Sequence, residues 1–159
     1  MKILLVIDLQ IEFVKDLQGK MIYEKCLNYI NMNRTRYDKV YAAYYRNHGN
    51  ENMLRYVHWN EMREAIQPLA FQADRFFPHS GYAVSEYPFD PGNDFVDVIG
   101  FDTDACVMNA CFDLFNRNIA FRILADGCWS SGGETYHKIG LEVMRRQFRD
   151  ALDEETAIG

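Results

Sequence analysis

Short, unbroken apolar runs alternate along this chain with longer amphipathic stretches. Ile3 to Ile7 is branched and wholly apolar, which predicts a strand buried on both faces that ends at Asp8. Asp16 to Gly19 reads as a turn, and Ile22, Cys26, Leu27 and Ile30 share one side of a helix over 22–32. Val40 to Tyr45 gives a second strand, followed by the polar loop 46–50. Leu54, Val57, His58, Met62 and Ile66 recur at helical spacing, so a second helix is expected over 51–66, ending before Pro68. Ala73 to Phe77 is a third strand that ends at Pro78-His79. The segment 80–94 is rich in Pro, Gly and aromatics and offers at most a helical turn near 83–87. Phe95 to Ile99 is a fourth strand. It leads through Thr103 and Asp104, both good N-cap residues, into a helix with Val107, Met108, Cys111, Leu114 and Phe115 on one face. Asn116 to Asn118 closes that helix, because asparagine tolerates the left-handed terminal position. Ile119 to Leu124 is a fifth strand and 125–133 a loop. Ser131 and Glu134 fit a capping box for a last helix to about Phe148, with Tyr136, Ile139, Val143 and Met144 on its apolar face. The acidic tail 149–159 need not pack. Strands alternating with helices predict a doubly wound parallel α/β sandwich.

Composition narrows the function classes. With 159 residues the chain suits one domain spanning 1–159. A net charge of −6 without a Lys/Arg cluster argues against nucleic-acid and membrane-surface partners. No apolar run reaches membrane-spanning length. The opening MKILLVIDLQ carries Asp8 and lacks a small-residue cleavage site, so it reads as a first strand rather than a signal peptide. The cysteines at 26, 106, 111 and 128 show no paired spacing, which suits a reduced, cytoplasmic setting. No glycine-rich phosphate loop follows the first strand, so a dinucleotide or nucleotide role has no support.

Candidate chemistry gathers at strand ends. Cys106 falls in the first turn of its helix, where free backbone N–H groups and the positive end of the dipole favour thiolate. That junction lies beyond the carboxyl end of a strand, where open α/β sheets bind ligands. A buried structural cysteine is the alternative. Asp8 is either a site carboxylate at the same edge or the cap of the following turn, and Gln10 and Phe13 overhang that edge. Cys26 and Cys111 lie on apolar helix faces and read as core. His48 and His58 lack ligand spacing and read as solvated or hydrogen-bonded.

Segments 4–13, 44–59, 73–84 and 97–137 together resemble the isochorismatase-like cysteine hydrolases. The most specific element is Gly100-x-x-Thr103-Asp104-x-Cys106-Val107, which matches that family's nucleophile turn. The resemblance implies a Rossmann-like three-layer α/β/α sandwich with a mostly parallel five- or six-stranded sheet. It also implies an Asp-Lys-Cys triad, to which Asp8 and Cys106 correspond. A non-proline cis peptide at Phe101–Asp102 is implied too, with an oxyanion hole from the N–H groups of Asp102 and Cys106.

The chain departs from the family at the lysine. The family's K-x-x-Y segment reads His79-Ser80-Gly81-Tyr82, and no lysine occurs between Lys39 and Lys138. Two readings follow. Either Asp8, His79 and Cys106 form a Cys-His-Asp arrangement, or the site has lost catalysis and the protein is a binding or interaction relative. The metal-binding Asp-x-His motif of the nicotinamidase branch is matched by Tyr45-Arg46-Asn47-His48, which lacks the carboxylate, so no metal and no cofactor are expected. The nucleophile implies C–N cleavage of a small amide or carbamoyl substrate through a thioester. Gln10, Phe13 and Tyr82 would line the pocket, with Cys128 and Trp129 as a wall. Tyr44, Tyr45, Phe76 and Phe77 serve either a homo-oligomer interface or the core.

Overall fold

The computed structural model describes residues 1–84, 86–155 and 157–159. Its strands are β1 (Lys2–Ile7), β2 (Lys39–Tyr45), β3 (Arg75–His79), β4 (Phe95–Phe101), β5 (Ala120–Trp129) and β6 (Leu152–Asp153). All pair in parallel, in the order β3-β2-β1-β4-β5-β6. The helices are α1 (Leu17–Asn33), the short α2 (Glu51–Arg55), α3 (Cys106–Asn116) and α4 (Glu134–Phe148).

The alternation of β1 explains the three layers. Ile3, Leu5 and Ile7 point into one core with Val107, Cys111 and Leu114 of α3 and Met144 of α4. Leu4 and Val6 point into the other, against Ile22, Cys26 and Ile30 of α1. Each of these β1 side chains is at most 2 % exposed, and burial of one such aliphatic group contributes about 2 kcal/mol. The doubly wound α/β/α sandwich is as expected, with the sixth strand present.

Several elements differ from the sequence expectation. Helix α1 begins before 22, because the Asp16 carboxylate accepts the Gly19 N–H at 2.6 Å and turns the expected loop into a capped first turn. The stretch 51–66 is helical only through Arg55. Beyond it His58 and Met62 take left-handed φ values of 57° and 59°, and Asn47 N donates to Met62 O, which folds the chain back onto the end of β2. Leu54 and Val57 are exposed, so the helical spacing there had no surface to pack on. Strand β5 runs past 124 to Trp129, pairing Cys128 with Gly100 and Trp129 with Phe101 after an irregularity. The tail is not loose: β6 pairs with β5, Leu152 and Ile158 are buried, and Arg145 holds Glu154.

In α4 the buried residues are Gly140, Met144 and Phe148, while Tyr136, Ile139 and Val143 face solvent. A Cβ at Gly140 would lie 2.9 Å from Asp104 N, so the glycine lets α4 press its backbone against the turn before α3. That contact leaves Tyr136, Ile139 and Val143 of the expected apolar face outward, while Met144 of the same face is buried. Phe115 of α3 is likewise exposed. Asn118 closes α3 in the left-handed region, as anticipated. No helix lies between 80 and 94 among the described residues, and Ser85 within the expected turn falls outside them. Tyr45 and Phe77 are core, whereas Phe76 is exposed. Among the described residues no helix is long and apolar enough to cross a membrane.

Candidate active site

Three strand ends converge at the carboxyl edge of the sheet. Asp8 follows β1 with φ 47°, a left-handed value that aspartate tolerates, and its N–H is held by Ala43 O at 3.0 Å. His79 is the last residue of β3, and Cys106 is the first of α3. Gly100 lets β4 approach β1 just ahead of the turn: a Cβ there would sit 1.9 Å from Ile7 O. The Phe101–Asp102 peptide is cis, as the resemblance implied.

The turn from Asp102 to Ala105 is held by the loop after β5. The Asp102 carboxylate accepts Ser131 N at 2.7 Å and Ser131 Oγ at 2.6 Å. Asp104 accepts Ser130 Oγ at 2.6 Å, and Thr103 Oγ1 lies 2.8 Å from His137 Nδ1. These contacts correct two expectations. Thr103 and Asp104 do not cap α3, whose N-cap is Ala105, and Ser131 does not cap α4, whose N-cap is Gly133. In each case the side chain is drawn away to brace the turn between β4 and α3.

Asp8, His79 and Cys106 meet as a buried trio. One ligand-type atom from each lies within 4.8 Å of the others. His79 Nε2 is 2.7 Å from Asp8 Oδ1, and His79 Nδ1 is 2.8 Å from Gly81 O. Both ring nitrogens therefore face acceptors. A carbonyl can only accept, so Nδ1 carries a proton; a second proton must lie between Nε2 and the carboxylate. Burial pulls the His79 pKa down, but the Asp8 charge and the two hydrogen bonds outweigh it, and the net shift is upward. The pair is an imidazolium on a carboxylate, a cation at the position where the resemblance implied a lysine.

Asp8 Oδ2 is buried and has no hydrogen-bond partner among the described residues. The sulfur beside it is only 8 % exposed. Burial, and then the Asp8 carboxylate, push the Cys106 thiol well above its ordinary value, against the backbone N–H of Asp102, which favours the anion. The expected resting thiolate is thus corrected: desolvation outweighs the helix terminus, and the sulfur rests as a thiol with a base at hand. Burial also raises the Asp102 carboxyl to about 6.

Cys106 opens onto a cavity of about 270 Å³. Phe13, Tyr45, Met53, Val57, Trp59 and Tyr82 line one side, and Asp102, Asp104, Ser130, Ser131 and Tyr136 the other. Phe13 and Trp59 stack with centroids 5.9 Å apart, and Tyr82 stands half exposed at the mouth. Gln10 is absent from this lining; its amide grips the Tyr45 backbone, accepting from N at 2.7 Å and donating to O at 3.0 Å. Cys128 is core, and the Trp129 indole turns to Asp16, so residues 130–132 form the wall expected of them. Tyr45, Met53 and Trp59 were missed. Tyr45 had been weighed as interface or core, and Met53 and Trp59 sat in a segment taken for helix; their aromatic and sulfur content beside a strand end was the available signal.

The 45–48 loop does not fit the metal of the nicotinamidase branch. The Asn47 amide donates to Trp59 O, His48 is exposed, and no carboxylate stands in the motif.

An isochorismatase domain model matches residues 90–156. The chain resembles the isochorismatase-like hydrolases. Its fold matches that of an isochorismatase-like hydrolase from Alkaliphilus metalliredigens, with a TM-score of 0.72, 20% identity and 91% of each chain covered. It also matches a nicotinamidase/pyrazinamidase from Bacillus subtilis, with a TM-score of 0.71, 13% identity and coverage of 96% of this chain and 99% of that one. An N-carbamoylsarcosine amidase from Thermoplasma acidophilum gives 0.66 at 18% identity, covering 92% of each. A search of curated proteins finds no match. At these identities the structural likeness establishes the fold.

Proposed function

We propose that this protein is a cysteine hydrolase that cleaves the C–N bond of a small amide or carbamoyl compound. The observation that carries the reading is the division of labour on Asp8: Oδ1 is tied to His79, Oδ2 is buried with no hydrogen-bond partner among the described residues, and a carboxylate oxygen lies within 4.8 Å of the Cys106 sulfur. Oδ2 takes the thiol proton as sulfur attacks the carbonyl carbon. The backbone N–H groups of Asp102 and Cys106 receive the oxyanion. Asp8 then passes its proton to the departing nitrogen, the C–N bond breaks, and a thioester remains. Water, losing a proton to Asp8, hydrolyses it and restores the thiol. His79 stays an imidazolium throughout and steadies the two anionic stages.

The lining favours particular substrates. No Lys or Arg stands among the cavity residues, while Asp102 and Asp104 do. A carboxylate-bearing substrate would meet like charge in a poorly solvated space, so neutral or cationic amides are preferred. The experiment is an ammonia-release screen of small amides and carbamoyl compounds in matched neutral, cationic and carboxylate-bearing forms, with Cys106→Ala as blank. Turnover that survives Cys106→Ala overturns the cysteine-dependent reading, and no turnover across the series overturns the hydrolase reading and leaves the binding-protein alternative.

A further inference from the structure

We propose that Asp8, His79 and Cys106 also form a three-ligand site for a divalent ion of the zinc class, and that filling it silences the nucleophile. The set offers one carboxylate oxygen, one imidazole nitrogen and one sulfur, the donor types such ions take, within 4.8 Å of one another. It is also the one group of three or more His, Cys, Asp or Glu side chains placed closely enough to hold a metal among the described residues.

Two further features point to a ligand. The Nδ1–H of His79 is fixed on Gly81 O, which is the outer hydrogen bond that orients a metal-binding histidine and aims Nε2 inward. Asp8 is fully buried, and its Oδ2 has no hydrogen-bond partner among the described residues. A lysine at position 79 would offer an ammonium and no lone pair; the histidine offers both states in turn. The exchange balances. The proton between Nε2 and Asp8 leaves, the Cys106 proton leaves, and one dication enters, so the net charge of the site is unchanged. Nε2 and Oδ1, now 2.7 Å apart, need to open to roughly 3.3 Å to admit an ion at tetrahedral bond lengths. Of the three ligands, Cys106 lines the 270 Å³ cavity.

Ligation requires only this geometry, not the proposed hydrolysis. The test strips the full-length chain with chelator under reducing conditions and titrates it with Co²⁺. The expected result is one equivalent bound, with a sulfur-to-cobalt charge-transfer band and intense tetrahedral d–d bands, both displaced by Zn²⁺. Cys106→Ser abolishes the charge-transfer band, and His79→Ala and Asp8→Asn each weaken binding at least ~10-fold. On unaltered protein, saturating Zn²⁺ slows iodoacetamide modification of Cys106 at least tenfold, and chelator restores it, a measurement that needs no variant to fold. A band that persists in Cys106→Ser, or alkylation unaffected by Zn²⁺, overturns the site. A chain that binds Co²⁺ through Cys106 but hydrolyses no amide keeps this site and sinks the hydrolase reading alone.

Discussion

Two carboxylates are completely buried in this protein, and they are treated in opposite ways. Asp97, in the middle of β4, is saturated: Tyr37 Oη donates at 2.8 Å, and Arg122 donates through Nε at 2.8 Å and Nη2 at 3.0 Å. Lys2 stands 3.9 Å away. Asp8, at the end of β1, has one oxygen on His79 and the other without a hydrogen-bond partner among the described residues. Burying a charge is costly unless its acceptor capacity is filled. A saturated carboxylate serves the fold, and an unsaturated one is held ready for something the free protein lacks. Asp97 ties strand to strand; Asp8 waits for a proton or an ion.

The sharpest way to break this comparison is to remove each group. Cys106→Ser and Asp8→Asn are expected to cut kcat/KM by ~10³-fold or more, with an unfolding midpoint close to that of the unaltered chain. If Asp8→Asn instead unfolds the protein while leaving turnover intact, the two carboxylates are alike and the contrast is void. Asp97→Ala should do the reverse, losing about 3 kcal/mol in urea unfolding because Arg122 and Tyr37 are left facing an empty site, while kcat/KM in the folded fraction is unchanged.

The next test concerns the histidine. His79→Ala should lower kcat by ~10²-fold, and His79→Lys should recover much of that loss by restoring a fixed cation. Equal defects in both would show that the imidazole ring itself is needed, as a proton carrier. The pH dependence follows from the raised pKa of His79. Its folded value lies above that of the unfolded chain, so its contribution to stability is complete below about pH 6.5 and is lost as pH rises through the folded value. A plot of unfolding free energy against pH should fall on that alkaline side and lose this step in His79→Gln. Asp102 acts with the same sign but earlier: as an acid raised from 3.8 to about 6, it lowers stability as pH rises between those values, and Asp102→Asn should remove that part of the slope.

The smallest effect is expected at Tyr45, which lines the cavity and whose buried phenol has no hydrogen-bond partner among the described residues. Tyr45→Phe should raise stability by up to about 1 kcal/mol, since it deletes an unmet hydroxyl. A loss of stability would mean that water already fills that role.

How much was legible in the sequence differed between sheet and surface. The runs Ile3–Ile7, Val40–Tyr45 and Phe95–Ile99 announced buried strands because a parallel strand needs apolar residues on both faces. Asp8 and Cys106 were readable as strand-end chemistry, and His79 as the residue standing where a lysine was expected. The helices were read less well. Of the residues that the spacing in 51–66 marked, Met62 does become buried, but by a chain that doubles back rather than by a helix, while Leu54 and Val57 stay exposed. The apolar spacing of α4 was right for Met144 but not for Tyr136, Ile139 and Val143, because Gly140 and its close contact with Asp104 help decide how that helix lies.

Local pattern alone thus determined the strands in their order of appearance and the strand-to-helix turn that carries Cys106, since each is set by residues adjacent along the backbone, and the net charge follows from composition. Only the tertiary structure decided that both nitrogens of His79 face acceptors, that one oxygen of Asp8 faces none, and that the sulfur rests protonated. Those facts depend on groups from β1, β3 and α3 that are distant in sequence, and on how much water their meeting excludes, which no spacing of residues records.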